Sequence, residues 1–341
     1  MSIKRRTFLL AGGATVALGG CVSHEKGDFF SPHIEVFDAA ALDHIDPNAP
    51  CEELGSGYTW AEGPTWDTER RALYFTDVPS NVAYKWTQND GVQVFMDPSG
   101  VEGAAVGFRE PGANGLWFAR DGSLIICNHG RRAVERMSLD TMERETLIGA
   151  YQGNALNSPN DVVEASDGTL FFTDPPYGLE GLDASPLKEQ RFNGVYRLSP
   201  DGVVHQIVED MTFPNGIALS PDETRLYISQ SDPSACLVRE IVFNKFGAVS
   251  DDRVMFDATS LMADAAPGLL DGLCVGADGV LFATGPGGVL ILSADGKLLG
   301  RINTGRATAN CAFGEDGQTL FMTAHDRLLK IRTKSRGVQW S

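Results

Sequence analysis

The stretch FPNGIALSPDETRLYIS, residues 213–229, sets Asn215 at the head of an apolar run that reads as a strand. Taken alone, Pro214-Asn215-Gly216 is turn chemistry, because Asn and Gly tolerate positive φ and Pro fixes its own. The same stretch recurs, however, and the recurrence decides the fold. A polar residue, a few apolar residues, a turn, then Leu with an apolar pair and usually Thr or Ser appears six times. EGPTW leads to LYFTD (Glu62, Leu73), NGLWF to LIICN (Asn114, Leu124), and NDVVE to LFFTD (Asn160, Leu170). NGIAL leads to LYISQ (Asn215, Leu226), DGLCV to LFATG (Asp271, Leu281), and ANCAF to LFMTA (Ala309, Leu320).

From head residue to Leu the offset is 11, 10, 10, 11, 10 and 11, whereas the repeats start 52, 46, 55, 56 and 38 residues apart. Constant hairpins joined by variable connections are the signature of stacked repeats with loop insertions. Asp121-Gly122, Asp167-Gly168 and Asp278-Gly279 supply the tight turns. A third apolar run follows each hairpin, such as VAYKW (82–86), GVYRL (194–198) and RLLKI (327–331), and a fourth follows most, such as VQVFM (92–96). Four antiparallel strands repeated six times predict an all-β fold, a six-bladed β-propeller over residues 33–341. Because the sixth unit runs out at Trp340-Ser341, IEVF (34–37) is expected to supply its outer strand and close the ring.

In a propeller the first strand of each blade lines the central channel, so the six head residues converge on one mouth. They are Glu62, Asn114, Asn160, Asn215, Asp271 and Ala309 with Asn310 beside it; five of the six carry a side-chain oxygen. Residues after the second strands rim that mouth, among them Asp77, Asn128-His129, Asp174 to Tyr177, Ser231 and His325, and the long connection from Pro175 to about Asn193 is placed to cover it. Two converging carboxylates repel unless a positive charge offsets them. All-oxygen carboxylate and amide ligands favour a hard divalent cation, Ca²⁺ first for its tolerance of irregular coordination. Mg²⁺, Mn²⁺ and Zn²⁺ remain alternatives, and so does a purely structural use of the head residues as blade-corner turns.

Length and 43% apolar content suit a full core. The formal charge of −17 becomes −20 without Lys4, Arg5 and Arg6, which argues against nucleic acid as a partner. Residues 1–21, MSIKRRTFLLAGGATVALGGC, have the layout of an export signal. Arg5 to Leu9 resembles a twin-arginine leader, and Leu18-Gly19-Gly20-Cys21 resembles a lipobox, which would lipidate Cys21; the alternative is an unlipidated signal cut nearby. Residues 22–32 then form a tether, and the expected location is the cell envelope, lipid-anchored and facing the periplasm. Five cysteines besides Cys21 leave at least one unpaired within the monomer, and the sequence selects no pairing. GPGGV (285–289) precedes no helix, which argues against a phosphate loop, and no GxSxG nucleophile elbow occurs.

AEGPTW (61–66), LYFTDVPSN (73–81), LNSPNDVV (156–163), LFFTDPPYGL (170–179), FPNGIALSPD (213–222), DGLCV (271–275) and NCAFG (310–314), in this order, resemble the senescence marker protein, gluconolactonase and luciferin-regenerating enzyme family. The resemblance spans about Tyr58 to Arg332. It implies a propeller with a divalent metal, commonly calcium, at the channel mouth, and hydrolysis of sugar lactones. By motif position it places metal ligands on Glu62, Asn160, Asn215 and Asp271, with Asp271 as the acid/base. Asn160 touches metal or substrate in different members, and Asn114, His129 and Tyr177 are the further candidates for substrate contact. Some members carry a substrate-gripping arginine two residues before the asparagine equivalent to Asn160, where this chain has Ser158. The expected reaction is metal-assisted opening of an aldonolactone, a small-molecule substrate, with Asp271 taking the proton from water and Glu62 as second choice. The competing readings are a phosphotriesterase of the diisopropylfluorophosphatase type and a binding propeller without catalysis.

Overall fold

The computed structural model describes residues 32–264 and 266–340. The leader, with Arg5-Arg6 and Cys21, lies outside them, as does all of the tether but its last residue. Six four-stranded antiparallel units follow one another along the chain, giving the propeller. The inner strands are Ala61–Asp67, Ala113–Phe118, Val162–Glu164, Pro214–Leu219, Leu273–Val275 and Asn310–Gly314, numbered here as blades 1 to 6. Helical structure among the described residues is confined to short 3₁₀ turns, and none is long and apolar enough to cross a membrane.

The core is not one cluster but six, each wedged between neighbouring blades. Side chains alternate across a strand, and here both faces are covered. In Leu170–Asp174, Leu170 and Phe172 pack toward blade 2, while Phe171 packs toward blade 4. That is why the second strands read as unbroken apolar runs. At the junction that closes the ring, Trp66 of blade 1 stacks on Phe321 of blade 6 with centroids 5.6 Å apart.

Closure differs from the sequence expectation in which strand performs it. Cys51–Ser56 pairs with Arg327–Arg332 as the outer strand of blade 6, Cys51 opposite Ile331. The segment expected there, His33–Val36, instead adds a fifth strand to blade 5, Ile34 opposite Ile302. Between the two, the 3₁₀ turn Ala39–Asp43 carries the chain across, and Ala41 and Ile45 fill the core between blades 5 and 6. Cys51, Cys127, Cys236, Cys274 and Cys311 are free thiols.

The repeat's Thr or Ser and the glycine that follows four of the six heads have a shared purpose, which is to stitch neighbouring blades around the channel. Thr76 Oγ1 donates to Asn114 O at 3.1 Å, Thr173 Oγ1 to Asn215 O at 2.6 Å, and Ser229 Oγ to Asp271 O. The head glycines 115, 216 and 272 donate their N–H to the head carbonyls Asn160 O, Asp271 O and Ala309 O of the next blade at 2.8, 3.2 and 2.7 Å. A Cβ at Gly216 would sit 2.3 Å from Asp271 O, so only glycine allows that approach.

Candidate active site at the channel mouth

Each head residue lies where its inner strand begins, and the strands aim all of them at one end of the channel. Glu62, Asn114, Asn160 and Asn215 are buried; Asp271 keeps partial exposure. The three asparagines form a continuous row. Asn114 Nδ2 donates to Asn160 Oδ1 at 2.7 Å, Asn160 Nδ2 to Asn215 Oδ1 at 2.6 Å, and Asn215 Nδ2 to Ser231 Oγ at 2.8 Å. Glu62 Oε2 accepts from the N–H of Gly63 at 2.9 Å. In blade 6 the channel-facing head is Asn310 rather than Ala309, and its amide faces the carboxyls of both Glu62 and Asp161.

The remaining candidates occupy distinct places. His129 is not a solvated rim residue: it is 0% exposed, with Nε2 3.2 Å from Asn114 Nδ2, so it acts on the site from behind Asn114. Gly178 covers it, since a Cβ there would lie 2.7 Å from His129 Cβ. Tyr177 stacks on Phe213 at 5.7 Å, its buried hydroxyl facing Ser231, Asn215 and the Asp271 carboxyl. Ser158 bonds to Pro175 O and accepts from Gly178 N at 2.6 and 2.9 Å, which anchors the covering connection. That connection meets a second one, residues 98–112, through an antiparallel bridge between Leu179 and Phe108. Asp77 and Asn128 are spoken for structurally, Asp77 by the N–H groups of Thr59 and Trp60, Asn128 by Glu135 and Arg131.

Two acidic residues at this end escaped the sequence reading. Asp161, next to the head Asn160, accepts from Val162 N at 2.9 Å and Ile217 N at 3.4 Å. Glu110 comes from the 98–112 connection, outside the repeat, and sits between Arg109 (2.9 Å) and His129 (3.6 Å). The pairing Asn160-Asp161 in the NDVV motif was a readable hint for the first; nothing marks the second.

Burial dominates the electrostatics. It pushes Glu62 up to about 8, with the N–H of Gly63 opposing and Asp161 adding repulsion. It raises Asp271 well above the carboxylate range, reinforced by Glu62, Asp161 and Glu110. Glu110 rises to about 7 and Asp161 to about 6 for the same reason, and His129 falls to about 3, hence neutral. Glu110 has Arg109 beside it, whereas Glu62, Asp161 and Asp271 are crowded and desolvated with no positive side chain among the causes acting on them. Asp271 Oδ1 is buried with no hydrogen-bond partner, and the Oδ1 atoms of Asn160 and Asn215 each accept one bond and keep a second lone pair. Among the described residues no three His, Cys, Asp or Glu side chains form a metal-binding group, so a cation here would draw on amide oxygens as well as carboxylates. That donor set fits a hard divalent ion.

A cavity of about 610 Å³ occupies the channel as entered from the opposite face, past the hairpin turns at Thr68, Asp121 and Pro221. Its inner end reaches Asp161 and Asn310 and stops short of the other heads. Residues 60–326 match the family described as SMP-30/Gluconolactonase/LRE-like region. The chain belongs to this family. It is 40% identical over 313 residues to a gluconolactonase of Zymomonas mobilis, covering 90% of this chain and 86% of that one. A Haloferax volcanii pentonolactonase is 25% identical over 269 residues, 77% of this chain and 80% of its own. A solved Xanthomonas campestris gluconolactonase superposes with a TM-score of 0.76 at 32% identity, covering 89% of this chain and 96% of the other. Gluconolactonases thus share both the sequence pattern and the propeller.

Proposed function

We propose that the chain hydrolyses an aldonolactone, glucono-1,5-lactone being the first candidate, at the mouth ringed by the head residues. The observation that carries the reading is the convergence of Asp271, whose Oδ1 has no partner, with Glu62 and the Asn114–Asn160–Asn215 row. Lactonase relatives at 40% and 32% identity supply the substrate class.

Glu62, Asn160, Asn215 and Asp271 would hold one divalent cation, Ca²⁺ by preference for such a set. Bound there, the cation supplies Lewis-acid polarisation of the lactone carbonyl. Asp271, whose Oδ1 has no hydrogen-bond partner, would take the proton from the attacking water once the cation keeps its carboxylate ionised. Asn160 and Asn215 fix one another and hold their oxygens inward. Asn114 Oδ1, buried and unpartnered, is available to a sugar hydroxyl, as is the Tyr177 hydroxyl. His129 contributes by orienting Asn114 rather than by touching substrate. Asp271 and Tyr177 keep partial exposure, which sets the entry between them.

The test is a panel of aldonolactones and a phosphotriester assayed by proton release with wild-type protein and Asp271→Asn. Lactone opening that disappears in the variant supports the reading; phosphotriester turnover without lactone turnover would replace it. We also place the protein in the envelope, anchored through a lipid on Cys21, on the strength of residues 5–9 and 18–21. Membrane fractionation of Cys21→Ser tests this, a soluble variant being expected.

A further inference from the structure

The hydrogen bonds around the mouth run in one direction, and a backbone carbonyl sets it. Ser231 Oγ donates to Leu270 O at 2.6 Å, and a carbonyl can only accept. The hydroxyl's one proton is thereby committed, so Ser231 must accept from Asn215 Nδ2 at 2.8 Å. Asn215 is then turned with Oδ1 toward Asn160 Nδ2, and Asn160 with Oδ1 toward Asn114 Nδ2. The last donor, Asn114 Nδ2, also lies 3.2 Å from His129 Nε2. That nitrogen is an acceptor, and a neutral imidazole with an accepting Nε2 carries its proton on Nδ1. Nδ1 is buried, and Glu110 faces it with both its backbone carbonyl and its carboxyl, Oε2 lying at 3.6 Å and Oε1 being held by Arg109 Nη2 at 2.9 Å.

We propose that Glu110 is a positioning residue: facing His129 Nδ1–H, it helps hold the imidazole in the tautomer whose Nε2 accepts from Asn114, and so secures the far end of a row whose direction Ser231 sets at the other. In this direction Asn114 keeps Oδ1 unpartnered, while Asn160 and Asn215 each keep a lone pair. A reversed row would present NH₂ groups, which no cation can use. At 3.6 Å the Glu110 contact is longer than a hydrogen bond; contacts of this kind tighten when substrate binds. Ser231 and Glu110 thus stand at opposite ends of one row. The effect on catalysis rests on the lactone-hydrolysis reading; the tautomer does not.

The experiment is ¹⁵N two-bond correlation spectroscopy of the imidazoles in the folded, substrate-free protein, with His129 assigned by loss of its signals in His129→Gln. Wild-type His129 is expected as the Nδ1–H tautomer. Glu110→Leu, or Glu110→Ala should the first not fold, is expected to populate Nε2–H; Glu110→Gln, whose amide oxygen still accepts, retains Nδ1–H. Glu110→Leu should also raise KM for glucono-1,5-lactone about two- to tenfold, the loss of one hydrogen bond, with Glu110→Gln restoring it. An Nε2–H tautomer in the wild type, or no change in the folded Leu and Ala variants, overturns the proposal. Absence of lactone turnover in the wild type would sink the functional reading while leaving the tautomer result to decide this one.

Discussion

Asn160 and Asn215, 55 residues apart, join blades 3 and 4 at the channel mouth through a 2.6 Å bond from Nδ2 to Oδ1. Each amide fixes the other, so neither is free to turn its oxygen away from the channel. Asn215→Ala removes an oxygen donor and strips the Asn160 amide of its acceptor. Calcium affinity measured by calorimetric titration should fall at least about tenfold, while Asn215→Asp, which keeps an oxygen in place, should retain most of it.

Asp271→Asn changes charge with almost no change in shape. If Asp271 accepts the proton of the attacking water, kcat for lactone opening should fall by about 100-fold or more. In chelated protein the melting temperature should hold or rise, because burial and then Glu62, Asp161 and Glu110 all disfavour a charge at this position. A large loss of stability would instead mark Asp271 as a fold residue.

Stability should depend on pH with a sign that metal reverses. Burial raises the folded Glu62 carboxyl to about 8 from an ordinary 4.5. A raised acid binds more protons folded than unfolded across that window, so the chelated protein loses stability as pH rises through it. Cation binding needs the carboxylates ionised, so its stabilising effect grows over the same range. Thermal melts with and without calcium, taken from about pH 5 to about pH 8, should therefore diverge with rising pH; parallel curves would count against a cation held by these groups.

Ring closure yields a prediction that separates two N-terminal strands. Removing residues up to 49 takes away the fifth strand of blade 5, the crossing turn and the Ala41 and Ile45 core side chains. Removing residues up to 57 also deletes Cys51–Ser56 and leaves the Arg327–Arg332 edge unpaired. The second truncation should cost several kcal/mol more, at about 1 kcal/mol per lost ladder bond plus the exposed edge. Urea denaturation of both truncations measures the difference.

The blades and heads were legible because channel geometry imposes similar chemistry on every blade. A polar side chain faces the mouth, and in four blades each a glycine follows the head and a hydroxyl bonds the next blade's head carbonyl, leaving marks at constant spacing. Repetition could not reveal Glu110, because its connection occurs once. Nor could it choose between IEVF and CEELGS for closure. The more apolar segment looks the better strand, yet an outer strand is half exposed, and Cys51–Ser56 needs little apolar surface. His129 looked like a rim residue for want of any sign that Gly178 would close over it.

The central claim is that Glu62, Asn160, Asn215 and Asp271 hold a cation on which lactone opening depends. Metal content and glucono-1,5-lactone hydrolysis should be measured on one preparation before chelation, after it, and after calcium is restored. The account predicts about one divalent ion per chain, activity lost with the ion and regained with it. Full activity in protein shown to be free of metal would contradict it.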